Sequence, residues 1–120
     1  MKEIDQIQKV ISDLNNLGWN SHDIYYYKQE VELESKRRAD LVLYRAGTPI
    51  GLIEVKKIGI DLLSNVQQPI LLSNDLNVKL IYITDGNQIY QILMDSTIAI
   101  ECQHFVSVSE IELVKNKDNE

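Results

Sequence analysis

Three residues have side chains that together could do chemistry: Asp40, Glu54 and Lys56. They stand on the stretch 37–57, two arms rich in Val, Ile, Leu and Tyr joined by Ala46-Gly47-Thr48-Pro49. Such arms read as strands, and the joining residues as a tight turn. If the turn centres on Gly47, Asp40 faces Glu54. Directly opposed residues on one sheet face have Cβ atoms about 4.5–5.5 Å apart. Two carboxylates that close repel unless a cation or a proton lies between them. Lys56, two residues past Glu54, shares its face, while Val55 points the other way with Ile53, Leu41 and Leu43 into a core. Two acids and an ammonium group on one face suit a divalent-metal site with a fixed cation beside it.

The rest of the chain must position that hairpin. Its 120 residues suit one domain, with a polar tail or linker expected at 115–120 after a folded part at 1–114. Hydrophobic residues make up 44% and charged residues 25%, as in an ordinary globular chain. Cys102 stands alone, which excludes an intramolecular disulfide and a cysteine zinc site and points to a reducing, cytoplasmic setting. No run of about 18 apolar residues exists and the first residues lack an apolar signal core, so no membrane span is expected. The net charge of −6 speaks against a bulk DNA coat. Lys36-Arg37-Arg38 and Lys56-Lys57 nevertheless flank the hairpin as local cations.

Ile4, Ile7, Ile11 and Leu14 recur at helical spacing, predicting a helix over 2–17. Gly18 suits the left-handed position past its end, with Trp19 folding back on Leu14. Residues 24–34 read as a strand whose later half alternates. Asp61 suits the N-cap of a helix over about 61–75. Pro69 predicts a kink there, or two shorter pieces. The run 79–84 is apolar throughout, as in a strand covered on both faces. Asp85-Gly86-Asn87 is a turn, 88–93 returns as a partner strand, and 96–106 has room for an edge strand. Ser107 and Glu110 have capping-box spacing before a short last helix. The order is α-β-β-β-α-β: a mixed sheet with helices on both faces, closed by a parallel crossover.

Arg38-Ala39-Asp40, a hairpin, then Ile53-Glu54-Val55-Lys56 resembles the PD-(D/E)xK nuclease signature. The order of elements resembles that superfamily's restriction-endonuclease-like α/β core. Leu17-Gly18-Trp19, Lys36-Arg37-Arg38-Ala39-Asp40, Ile53-Glu54-Val55-Lys56-Lys57 and the run Ile81-Tyr82-Ile83-Thr84-Asp85-Gly86 resemble the N-terminal nuclease domain of type I restriction motor subunits. The resemblance covers roughly residues 3–93. It implies a metal-dependent DNA endonuclease domain, a module of a larger restriction system. Asp40 and Glu54 would ligate Mg²⁺ or Mn²⁺ with the Val55 carbonyl, and Lys56 would be the motif lysine. Relatives in this branch add a glutamine in the next helix, four residues before a tyrosine. Gln68 or Gln67 could serve, although Leu72 and Leu71 stand where the tyrosine would be. Glu3 would be a first-helix acid, and Ala39 replaces the motif proline. The implied partners are double-stranded DNA and translocase, methyltransferase or specificity subunits.

Hard oxygen ligands suit Mg²⁺ or Mn²⁺, and a cation at a phosphodiester neutralises charge and acidifies water. Set against this, Glu-x-Lys on a strand is usually a solvated ion pair. It is Asp40 in register that shifts the balance to a site. Glu3 also fits plain compensation of the helix dipole. Lys36, Arg37, Arg38 and Lys57 suit phosphate contacts or a solvated turn. Tyr25, Tyr26 and Tyr27 read as packing, Cys102 as a small core residue, and His22 and His104 carry no assigned chemistry. The alternatives are a non-catalytic DNA- or protein-binding module that keeps the fold, and a nuclease of DNA junctions acting as a homodimer.

Overall fold

The computed structural model of the chain describes residues 3–20, 24–93 and 98–118. The connector at 21–23, with His22, and the start of the expected edge strand at 96–97 lie outside them.

Helix α1 (Glu3–Asn16) presents Val10 and Leu14 to the core with no exposed surface. Gly18 ends it at φ +98°, where Trp19 N–H donates to the Leu14 carbonyl at 3.0 Å. The Trp19 ring is fully buried, and its Nε1–H donates to the Val106 carbonyl at 2.8 Å. The cap read from Gly18-Trp19 therefore also ties the helix to a distant loop.

Strands β1 (Tyr25–Glu32), β2 (Arg38–Arg45) and β3 (Thr48–Val55) form an antiparallel meander. The β2–β3 turn holds Ala46 and Gly47 at φ +50° and +87°. Two left-handed residues give the type of turn whose twist matches a hairpin. A bulge between Leu43 and Tyr44 shifts the register near the turn by one residue. Beyond it, Leu43 faces Gly51, Val42 faces Leu52 and Leu41 faces Ile53, the register the Gly47-centred turn predicts.

The expected helix at 61–75 is two pieces, a 3-10 helix (Leu62–Asn65) and α2 (Gln67–Leu76). Pro69 is the third residue of α2, in the first turn, where N–H groups lack helical acceptors. The proline thus sets where the helix starts and leaves its interior regular. Strand β4 (Leu80–Thr84) pairs with β3 in parallel, as the crossover predicts. Strands β5 (Ile89–Leu93) and β6 (Ile98–Cys102) add antiparallel, giving a six-stranded sheet in sequence order.

Helix α3 (Val108–Asp118) opens with the expected capping box: Ser107 N–H donates to Glu110 Oε1 at 2.8 Å and Glu110 N–H to Ser107 Oγ at 3.1 Å. It continues to Asp118, so the expected tail from 115 begins inside it.

Alternation along the strands feeds two cores. Leu41, Leu43, Ile53, Val55 and Tyr82 pack with α1 and the start of α3. Val42, Leu52, Ile81, Ile83 and Ile92 pack with Leu62 and Leu72 on the α2 side. The mixed sheet with helices on both faces is therefore present. Among the described residues no helix is long and apolar enough to cross a membrane.

Candidate active site

The strand pair β2–β3 is held by packing as far as Leu41 and Ile53, and beyond that pair the site begins. Asp40 Oδ2 accepts the Val55 N–H at 2.8 Å, so a carboxylate takes the place of the next ladder carbonyl. Glu54 follows Leu52 by alternation and is only 6% exposed. Burial pushes its carboxyl up to about 8, helped by the Asp40 charge and a hydrogen bond with the Asp40 side chain. Lys56 opposes this, its Nζ standing 3.5 Å from Glu54 Oε2. The hairpin thus brings Asp40, Glu54 and Lys56 together. Burial and the neighbouring Asp40 thus favour a proton on Glu54.

The site lies at the carboxyl ends of the parallel pair β3–β4. Glu54 faces Ile83, Val55 faces Thr84, and Lys56 N–H donates to the Thr84 carbonyl at 2.8 Å. The carboxyl ends of parallel strands are the usual ligand position in open α/β sheets. Helix α1 closes this end. Lys9 Nζ donates to the Gly86 carbonyl, and Gln6 lies against Gly86 with its Oε1 buried and unpartnered among the described residues.

Among the described residues no trio of His, Cys, Asp or Glu converges, so the protein carboxylates available are the Asp40–Glu54 pair. Both offer hard oxygen, the ligand type that Mg²⁺ and Mn²⁺ prefer.

The other expected residues are placed less centrally. Gln67 and Gln68 both lie exposed on the first turn of α2, without a hydrogen bond to either carboxylate among the described residues. The Glu3 residue opens α1, but its side chain lies outside what the structure describes. Lys36 pairs with Glu32 at 3.8 Å and Arg37 with Asp75 at 3.6 Å, while Arg38 and Lys57 are exposed. Tyr26 stacks on Tyr44, and Tyr25 O–H donates to Glu112 Oε1 at 2.7 Å, both packing roles as read. Cys102 packs partly buried on the α1-side core.

One neighbour escaped the sequence reading. Glu30 sits at φ +49° in β1, at the step that would face Asp40, where the pairing passes from Gln29–Leu41 to Val31–Ala39. With Asp40, Gln29, Ile7 and Gln8 it lines a cavity of about 250 Å³. The signal was the polar run Lys28-Gln29-Glu30, which breaks alternation up to the positive-φ residue.

No protein-family model matches the sequence, and no curated protein matches it. Comparison with solved structures gives the class: the fold is restriction-endonuclease-like. A fragment assigned to an HsdR subunit of a type I restriction enzyme from Vibrio vulnificus YJ016 superposes with a TM-score of 0.80 at 20% identity over 98% of this chain. A cryo-EM structure of a DrdV–DNA complex superposes with a TM-score of 0.51 at 15% identity over 82% of it. The chain spans 26% of the first and 12% of the second. At these identities the likeness is one of fold.

Proposed function

We propose that this chain is a metal-dependent DNA endonuclease domain of restriction type, a module of a larger enzyme acting on double-stranded DNA. The observation that carries the reading is the Asp40–Glu54 pair at the end of the hairpin, with Lys56 3.5 Å from Glu54. The fold likeness to a restriction-subunit fragment and to a protein solved with DNA supports the substrate class and the module. Translocase, methyltransferase and specificity subunits are the partners that setting implies.

Asp40 and Glu54 would hold Mg²⁺ or Mn²⁺, with the Val55 carbonyl as a third donor. A divalent ion supplies charge neutralisation at the phosphodiester and lowers the pKa of the attacking water. The Val55 N–H orients Asp40, and Glu54 would have to give up its proton to act as a ligand. Lys56, anchored on Glu54, offers its ammonium to the negative charge that grows on the phosphate oxygens. Water does the attack, so no covalent nucleophile is required. Gln68 or Gln67 would orient the site from α2, and Glu3 from α1.

The test is nicking of supercoiled plasmid. Nicking is expected with Mg²⁺ or Mn²⁺ and not with EDTA. Asp40→Ala and Lys56→Ala should each slow it by about 10²–10³. DNA binding without cleavage would favour a non-catalytic module on the same fold, and cleavage indifferent to both substitutions would place the chemistry elsewhere.

A further inference from the structure

The segment that follows Lys56 is unusual for a solvent-facing turn. Ile60 N–H donates to the Lys57 carbonyl at 3.3 Å, and Gly59 lies at φ +101°. That is a type II turn with Ile58 and Gly59 at its centre. Turns of this kind favour polar residues, proline or glycine at their exposed positions. Here Ile58 is 58% exposed, Ile60 41% and Leu63 49%. The segment is also anchored: Leu62, 3% exposed, packs into the α2-side core, and Asp61 is engaged by Ser64 Oγ at 2.7 Å. The result is a firmly mounted apolar tip with Lys56 and Lys57 on its upstream side and its nearest acid turned toward a serine.

Ile58 lies four steps along the chain from Glu54, a reach of at most about 14 Å. DNA advances about 3.4 Å per base-pair step. The tip therefore falls within roughly four steps of a phosphate held at Asp40 and Glu54. Side chains of Ile, Leu and similar type are the ones that wedge between base steps or pack on sugars in the minor groove, flanked by cations on phosphates.

We infer that the Lys57–Ile60 turn is a groove-contacting wedge: Ile58 and Ile60 pack against sugars and base edges of duplex DNA beside the cut, while Lys57 holds a neighbouring phosphate. The inference deepens the nuclease reading and rests on it for the substrate. A charge-complementary element of this size suits DNA better than a protein partner, whose interface core would be depleted in lysine.

The experiment measures anisotropy of a fluorescein-labelled duplex with the 120-residue chain in Ca²⁺, over a series of salt concentrations, alongside plasmid nicking in Mg²⁺. Ile58→Ser with Ile60→Ser should weaken binding about tenfold with the slope of log affinity against log salt unchanged. Ile58→Leu should bind as wild type. Lys57→Ala should reduce the magnitude of the slope by about 0.9, the share of one phosphate. All three sites are exposed, so the variants should melt as the parent does. Should the double serine variant bind and nick as wild type, the wedge is overturned while the nuclease reading stands. Weakened binding with no nicking by the parent would overturn the nuclease reading and keep the wedge. Loss of a protein partner in place of DNA affinity, or a serine variant that changes the salt slope, would overturn the wedge.

Discussion

Glu54 holds a proton in the fold that it would lose in the unfolded chain, and this has a measurable sign. Its carboxyl is pushed from 4.5 up to about 8, first by burial and then by Asp40. Below 4.5 both states are protonated and the stability is complete. Between 4.5 and 8 the folded chain binds more protons than the unfolded one, so stability falls as pH rises. Thermal melts of the metal-free protein should therefore decline from pH 5 to pH 8, and Glu54→Gln should flatten that decline. A flat wild-type profile would mean that Glu54 is not held neutral. The pair follows from a Gly47-centred register, which the fold reaches through a two-residue turn together with the bulge between Leu43 and Tyr44. Glu30 was not legible in the sequence, since its position depends on a backbone bend that its residue type does not favour. Nor was the pairing of Arg37 with Asp75, residues far apart in the chain that only the fold brings together.

Among the elements, β3 carries the site, and its approach to β4 is set by one glycine. A Cβ on Gly51 would stand 2.9 Å from the Leu80 carbonyl oxygen and 3.0 Å from its Cβ. Gly51→Ala should cost about 1–3 kcal/mol, read as a lower urea midpoint with an unchanged slope. An unchanged midpoint would show that the β3–β4 contact yields freely. At the other end of the chain, Ser107→Ala removes the oxygen that accepts the Glu110 N–H and should cost about 1 kcal/mol. The elements were readable where one physical rule acts alone: the periodicity of α1, the Gly18-Trp19 cap, the capping box, the apolar run of β4. They were less so where two rules compete. Leu62, Val66 and Ile70 share a helical stripe, but Pro69 is comfortable only in a first turn, so the proline decides where α2 begins.

For the molecule as a whole, the net charge of −6 means that the duplex proposed as substrate would be gripped locally, at exposed cations such as Arg38 and Lys57. It also means that metal binding should act on the whole fold. A cation that binds the native state alone stabilises it by mass action. Because it competes with the proton on Glu54, Mn²⁺ should raise the melting temperature more at pH 8 than at pH 6. Asp40→Ala should lose most of that rise, and an equal rise in that variant would put the ion at another site. The fold class could be read from the order of strands and helices, and the solved structures agree with it. The chain spans 26% of the length of the HsdR fragment on which it superposes.

The most direct measurement is anomalous diffraction from a crystal soaked in Mn²⁺. It should show one ion liganded by both the Asp40 and Glu54 carboxylates, absent from crystals of Asp40→Ala. Density lying away from the pair, or none beside it at a concentration that supports nicking, would contradict a shared cation at the end of the hairpin.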